Sequence, residues 1–157
     1  GGLMDNAFKY IIANGGLCTE ADYPYTASDG TCKSSSCKPA ATISNYHDVQ
    51  HNAQALQEAA AQQPVSVAIE ADQFAFQFYS GGVLTGQCGT QLDHGVLVAG
   101  YGTDGNNDYW LVKNSWGASW GEQGYVRIGA DFSDSTSKYN NGAGECGILT
   151  SASYPIV

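Results

Sequence analysis

Two apolar segments separated by a short polar turn decide the fold of this chain. They are LDHGVLVAGYG at residues 92–102 and DYWLVKNSWG at residues 108–117. Both are rich in Val, Leu and aromatic residues, which favour strands. The intervening TDGN at residues 103–106 suits a tight turn. The sequence therefore predicts an antiparallel hairpin.

Folding this hairpin about residues 104–105 places His94 opposite Asn114 or Ser115. A change of register by one residue turns a side chain to the other face, but His94 and Asn114 remain neighbours at the open end. An imidazole there can transfer a proton, and a carboxamide beside it can orient the ring. From the hairpin alone, the more frequent explanation is a histidine that ends a strand and an asparagine with local hydrogen bonds.

Two tryptophans follow directly after Asn114 and change that balance. In NSWGASWG, residues 114–121, Trp116 and Trp120 stand between glycines, an arrangement that core packing rarely needs. Aromatic rings over a contact between His94 and Asn114 would exclude water, and hydrogen bonds are stronger at low dielectric. The two tryptophans therefore favour a catalytic pair over the local explanation.

The rest of the pattern predicts one helix, a loop-rich section and then mostly strands. Apolar residues recur at helical spacing over residues 3–13, and glycine ends that helix. Asn52 is suited to cap a second helix through Gln62. The predicted strands are residues 65–69, 92–101, 108–115 and 124–128, and residues 129–145 are predicted to form a long surface loop. This order indicates an α+β protein.

Composition limits the class of protein and of partner. The 157 residues are 43% hydrophobic and 13% charged, which fits a globular protein rather than a disordered one. The net charge of −9 argues against nucleic acid and anionic membranes as partners, and no apolar run reaches the length of a membrane span. Because the chain opens on Gly1, without an initiator Met or a signal-peptide pattern, we expect a processed product.

The five cysteines are dispersed along the chain, without a Cys-x-x-Cys pair. This distribution favours disulfides formed in an oxidising compartment over metal ligands, and the odd count leaves one cysteine to pair outside this sequence. His47 and His51 would share a metal only on a helix, whereas their segment is predicted as strand and turn and offers no third ligand. No metal and no cofactor is predicted.

The residues around His94 and Asn114 resemble the His and Asn boxes of papain-like cysteine proteases. The motifs are LDHG at residues 92–95, KNSWG at residues 113–117 and WG at residues 120–121. The opening GGLMDNAF at residues 1–8 is similar to the cathepsin L branch of that family. Further matches are YPY at residues 23–25, CGI at residues 146–148 and ASYP at residues 152–155.

The resemblance implies an α+β fold of two lobes, one helical and one an antiparallel β-barrel-like lobe, with the active site in the cleft between them. Residues 1–40 correspond to the remainder of the helical lobe, residues 41–140 to the β lobe, and residues 141–157 to a C-terminal strand that crosses back. In this family the nucleophilic cysteine lies in the N-terminal third, which is expected to be absent here. None of the five cysteines stands in a matching context.

The implied activity is that of a thiol endopeptidase, which cleaves peptide bonds through a thioester. His94 and Asn114 are the catalytic residues that this chain supplies, with Trp116 shielding their bond and Trp120 shaping the leaving-group side. The implied substrate-binding residues are Gly1, Gly2, Leu3, Met4, Ala68, Leu92, Asp93, Gly95 and Ser151. The uncharged pocket among them implies a preference for a bulky apolar side chain two residues before the cut. For Leu3, Met4 and Ala68, simple core packing is the alternative.

The resemblance also implies how the cysteines pair. Cys88 and Cys146 match a disulfide of the family, and Cys32 matches a cysteine whose partner lies in the absent portion. Cys18 and Cys37 are outside the usual set and are predicted to pair with each other. The expected partners are the N-terminal portion of the same protease, as a separate chain, and peptide or protein substrates.

The implied location is lysosomal, vacuolar or secreted, and this chain alone is expected to be inactive. The competing hypothesis is a non-catalytic homologue, or one with serine at the nucleophile position, that acts as a binding or structural module. Intact His94 and Asn114 favour catalysis, because an inactive protein need not keep them.

Overall fold

The computed structural model describes residues 1–133 and 136–157, which form two compact units. The first unit comprises residues 1–47 and 155–157, and the second comprises residues 48–154. The lobe boundaries implied by the resemblance, after residues 40 and 140, stay predictions. None of the helices in the described part is long and apolar enough to span a bilayer.

Both predicted helices are present with slightly different ends. The first ends where Gly15 adopts φ 75° and its N–H bonds the carbonyls of Ile11 and Ile12. The second begins after Asn52, whose side chain accepts a hydrogen bond from Ala55 N–H. The helices are α1 (Met4–Asn14), α2 (Ala53–Ala60) and the short α3 (Phe74–Gln77), with single 3₁₀ turns at Ser34–Ser36, Asn140–Gly142 and Glu145–Gly147.

Seven strands form one sheet, which confirms the α+β class. The strands are β1 (Asn45–Asp48), β2 (Val65–Ile69), β3 (Val83–Leu84), β4 (His94–Asp104), β5 (Asn107–Lys113), β6 (Tyr125–Gly129) and β7 (Ala152–Ile156). Their order in the sheet is β1-β7-β2-β4-β5-β6-β3. The long hairpin of β4 and β5 therefore lies in the middle of the sheet, where neighbours hold it on both sides.

Alternation along β2 defines the face of the sheet that packs into the core of the second unit. Val65, Val67 and Ile69 are fully buried, since they are every second residue of the strand. Buried residues of β4, β5 and β6 complete this core, and they are Val98, Trp110, Val112, Val126 and Ile128.

The central hairpin turns one residue later than the sequence predicts. Asp104 pairs with Asn107, so the turn lies at residues 105–106, and Gly105 supplies the positive φ that it needs. Between Val98 and Gly100 the register shifts at a β-bulge. Neither feature could be read from the alternation of apolar residues.

The segment at residues 129–145 is only partly the surface loop that its composition predicts. Asp131, Ser137 and Glu145 are buried polar residues within it, and two of the 3₁₀ turns lie at its C-terminal end. Polar composition was misleading because these side chains bond backbone groups rather than water, as described below for Glu145.

Candidate active site

The sheet brings His94 and Asn114 together. On β4, Val98, Val96 and His94 pair with the buried Val65, Val67 and Ile69 of β2, so the imidazole ends a row that faces the core. Asn114 follows the last residue of β5, where its N–H bonds the carbonyl of Gly124. The distance between His94 Nε2 and Asn114 Oδ1 is 2.8 Å, which is a hydrogen bond.

The surrounding hydrogen bonds determine which ring nitrogen carries the proton. Asn114 Oδ1 also accepts from Ser115 N–H at 2.8 Å. A backbone N–H can only donate, so this side-chain atom is the carbonyl oxygen, and His94 Nε2 must be its second donor. Nδ1 of His94 forms no hydrogen bond to any residue in the described part of the chain. The neutral ring therefore presents a lone pair at Nδ1, and the charged ring presents an N–H there.

The carboxamide of Asn114 is only half satisfied. The residue is 7% exposed, and its Nδ2 has no hydrogen-bond partner among the described residues. A buried donor without a partner destabilises a fold by roughly 1–3 kcal/mol. Such a group is retained where its other atom has a task, and here the other atom, Oδ1, holds the imidazole.

An aromatic cluster covers one side of the histidine. The rings of His94 and Trp116 lie 5.1 Å apart and are tilted by 30°, and Trp116 remains 37% exposed. Trp120 meets Trp116 edge-on at 5.3 Å, and its Nε1–H donates to the carbonyl of Gln77 at 3.0 Å. Beneath both tryptophans, Phe76 packs at 5.5 and 5.1 Å between centroids.

Sequence reasoning missed α3, which carries Phe76 and Gln77 to this cluster. A helix of four residues is too short to show a periodicity. The aromatic run FAFQFY at residues 74–79 was the available signal, because two tryptophans held close to an active-site histidine need apolar partners beneath them.

The predicted substrate-binding residues fall in both units. In the second unit Ala68 pairs with Gly95, one position along from the pair of Ile69 and His94. Ala68 N–H also donates to the carbonyl of Ser151 at 2.9 Å, and Leu92 is partly exposed. Ala68, Gly95 and Ser151 are thus neighbours, and Ala68 and Gly95 lie on the face of the sheet opposite to the row that ends at His94.

The structure also places the remaining predicted positions. Asp93 Oδ1 accepts from Ala71 N–H at 2.8 Å, which joins β4 to the residues that follow β2. In the first unit Met4 begins α1, Leu3 is the N-cap residue before it, and both follow the exposed Gly1 and Gly2.

The structure joins Cys18 to Cys37 and Cys88 to Cys146. Cys32 is an exposed free thiol. Its Sγ contacts Ser34 Oγ at 3.4 Å, and hydrogen bonding to Ser34 lowers the pKa of this thiol below its ordinary value. Among the described residues, one group of three possible metal ligands lies close together, and it consists of Cys88, Glu145 and Cys146. Two of its three ligand atoms are the sulfurs of a disulfide, so they are not available to a metal.

Charged residues form a network around Arg127, whose backbone N–H donates to the hydroxyl of Tyr79 at 3.3 Å. Its guanidinium bonds Glu122 at 2.8 and 2.9 Å and Asp104 at 2.7 Å. The hydrogen bonds from Arg127 hold the pKa of the Glu122 carboxyl below its usual value. Nearby, burial raises the pKa of Tyr79, whose ring packs against Trp120.

Comparison with known proteins supports the resemblance read from the motifs. A profile of the papain family cysteine proteases matches residues 1–156. The probable cysteine protease RD21B of Arabidopsis thaliana is 53% identical over 99% of this chain, and the senescence-specific cysteine protease SAG39 of Oryza sativa subsp. indica is also 53% identical over 99%. The chain spans only 33% and 44% of the length of these two relatives.

Solved structures agree with the sequence relatives. The bromelain protease of Ananas comosus, in complex with the E64 inhibitor, superposes with a TM-score of 0.90 at 41% identity. The alignment covers all of this chain and 70% of that one. The recombinant stem bromelain precursor gives the same TM-score at 42% identity over half of its chain. This likeness confirms the predicted papain-like fold and the absence of the N-terminal part.

Proposed function

Because the chain belongs to the papain family of cysteine proteases, we propose that it supplies the histidine and asparagine of a thiol endopeptidase. The observation that carries this proposal is the 2.8 Å hydrogen bond between His94 Nε2 and Asn114 Oδ1, which leaves Nδ1 available for proton transfer. None of the five cysteines here stands in the context of the family's nucleophile, and we propose that the thiol comes from residues outside this sequence.

We propose a separate task for each ring nitrogen. Nδ1 accepts the proton of the thiol and forms an imidazolium–thiolate pair. After the thiolate attacks the peptide carbonyl, Nδ1–H protonates the leaving amine, and the neutral ring then takes a proton from the water that cleaves the thioester. Nε2–H stays bonded to Asn114 throughout, which keeps the ring in one orientation. Trp116 covers that bond and Trp120 borders the leaving-group side.

The test is hydrolysis of a fluorogenic dipeptide, with Phe second from the cut, by the complete protease. We expect His94→Ala to abolish turnover, because it removes the imidazole that is proposed to transfer the proton. The matched control is His51→Ala, since His51 is exposed and lies outside the cluster. Equal activity of wild type and His94→Ala would refute the proposal.

We further propose that the main specificity pocket takes a bulky apolar side chain. Within the second unit its walls are Ala68, Leu92 and Gly95, and Ser151 lies at the far end. In the first unit, the glycines at residues 1 and 2 lack side chains that would hinder pairing with an extended substrate backbone. Asp93 borders the same region. The proximity of Ala68, Gly95 and Ser151 supports this assignment. Ser151→Glu should raise kcat/KM for an Arg substrate relative to a Phe substrate, and an unchanged ratio would place the pocket elsewhere.

The nucleophile and the covalent partner can be located by mass spectrometry. An epoxysuccinyl thiol reagent should label a cysteine outside these 157 residues, and modification within them would contradict the assignment. We propose that Cys32, exposed and unpaired here, bonds a cysteine of the N-terminal portion. If that portion is a separate chain, the intact mass of the protein should be larger under non-reducing than under reducing conditions, and the difference should equal the mass of that portion. By itself this chain should show no peptidase activity.

Two disulfides within the described residues support an oxidising location, and we propose that the protein is vacuolar, lysosomal or secreted. Fractionation of the source tissue tests this, and recovery with cytosolic markers would contradict it. A protein that binds peptides without cleaving them, in the assay above, would instead be the non-catalytic homologue.

A further inference from the structure

We propose that Glu145 is a positioning residue for His94, a role that rests on the proposed peptidase function. It acts through residues 86–93, here called the approach segment, which lead directly into His94. The buried carboxylate fixes the start of this segment, and further contacts carry the constraint to the imidazole.

The carboxylate of Glu145 is held almost entirely by backbone N–H groups. Its Oε2 accepts from Gly86 N–H at 2.7 Å, and its Oε1 accepts from Gln87 and Cys88 N–H at 2.8 and 2.9 Å. The residue is 0% exposed. Three consecutive amides of the approach segment thus converge on one side chain that comes from 57 to 59 residues further along the chain.

The same segment has two more attachments before it reaches Leu92. Cys88 is joined to Cys146, the residue after Glu145. The second buried carboxylate, Glu70, accepts from Gln91 N–H at 3.1 Å, and its own N–H bonds the carbonyl of Cys146. The turn at residues 145–147 and Glu70 are therefore bonded to each other, and both are bonded to the approach segment.

The last residues of the segment transmit this arrangement to the histidine. Leu92 lies against Gly147, where a β-carbon would come within 2.9 Å of its Cδ2. Asp93 N–H then donates to the carbonyl of Ile69 at 3.0 Å, and His94 pairs with Ile69. A displacement at residues 86–88 would consequently alter where the imidazole stands against Asn114.

Stability alone does not explain a carboxylate at this position. Burying a negative charge is unfavourable unless strong partners compensate for it, and neither ion pair of the described residues involves Glu145. An apolar side chain could fill the space, but it could not accept three hydrogen bonds. What the carboxylate adds is a fixed geometry for three amides.

The test is Glu145→Gln in the complete protease. A glutamine fills the same volume, but its Nε2 is a donor, so one of the two oxygen positions must oppose a backbone N–H. We expect kcat for the Phe dipeptide substrate to fall about tenfold, less than the roughly 100-fold that a misplacement of 1 Å can cause. We also expect a shift in the pH profile of the rate at which iodoacetamide alkylates the active-site thiol, because that profile reports the imidazolium–thiolate pair.

The matched control is Asp131→Asn. Asp131 is another buried carboxylate that holds backbone N–H groups, those of Ser133 and Lys138, and it has no bond to the approach segment. This control should lower the melting temperature while kcat and the alkylation profile stay unchanged.

If Glu145→Gln lowers only the melting temperature, as Asp131→Asn does, the positioning role is wrong. If Glu145→Gln does not fold, Glu145→Asp is measured by the same criteria, since it keeps the charge but withdraws it from the amides. Wild-type protein that cleaves no substrate would refute the proposed function itself, and this inference with it.

Discussion

The Asn114→Ala substitution is expected to separate activity from stability. It removes the Oδ1 acceptor of two hydrogen bonds, from His94 and from Ser115, each of which contributes about 1 kcal/mol to folding. It also removes the buried Nδ2 that has no partner among the described residues, which should raise the free energy of unfolding by roughly 1–3 kcal/mol. These changes nearly cancel, so the free energy of unfolding should change by less than about 1 kcal/mol.

Activity should respond far more strongly. A hydrogen bond to a charged partner contributes about 1.5–3 kcal/mol, and the imidazolium of His94 is such a partner in the proposed mechanism. Since about 1.4 kcal/mol corresponds to tenfold in rate, kcat/KM should fall about 10- to 100-fold. The assays are hydrolysis of the Phe dipeptide substrate and chemical denaturation of the same preparation. A fall in kcat/KM of less than twofold would refute the reasoning, as would a loss of stability above about 3 kcal/mol.

Three further substitutions test other parts of the fold. Asn52→Ala removes the cap of α2 and should lower the free energy of unfolding by about 1 kcal/mol without affecting kcat; an unchanged melting curve would contradict this. Replacing Cys88 and Cys146 together by serine opens a loop of 58 residues and should lower stability by roughly 4 kcal/mol in the chain-entropy model, as denaturant titration would measure. Because Arg127 lowers the pKa of Glu122, that carboxylate stabilises the fold above its unfolded pKa and loses this effect as pH falls through the lowered value. The stability difference between wild type and Glu122→Gln should therefore be constant near pH 7 and shrink below about pH 4.3, and a difference that grows in acid would show the opposite sign.

Long periodic elements were predictable from the sequence, and short ones were not. Both main helices and the strands β2, β4, β5 and β6 carry enough apolar positions to define a period and a face. By contrast α3 has four residues and β3 has two. Pro155 lies in β7, where alternation is weak, and that strand was expected from the resemblance alone.

The candidate site divides in the same way. Proximity of His94 and Asn114 follows from a hairpin, since the position of the turn determines, to within a residue or two, which residues of the two strands lie opposite each other. The partners of Glu145 could not be deduced, because they are backbone amides far away along the chain and every residue except proline carries such a group. A glutamate inside a polar segment looks solvent-exposed by composition, and only the folded chain shows that it is buried.

The bulge in β4 changes which residues of this strand lie on the same face of the sheet. Val98 pairs with Val112 and Tyr101 with Trp110, and paired residues share a face. Val112 and Trp110 are two positions apart and lie on one face, so Val98 and Tyr101 also share a face although they are three positions apart. Strict alternation counted back from Tyr101 would put Val98, and the imidazole four places before it, on the opposite face, and the extra residue Ala99 brings both onto the side of Tyr101. The face on which His94 stands is therefore given by its pairing with Ile69 of β2 and not by its distance from the hairpin turn.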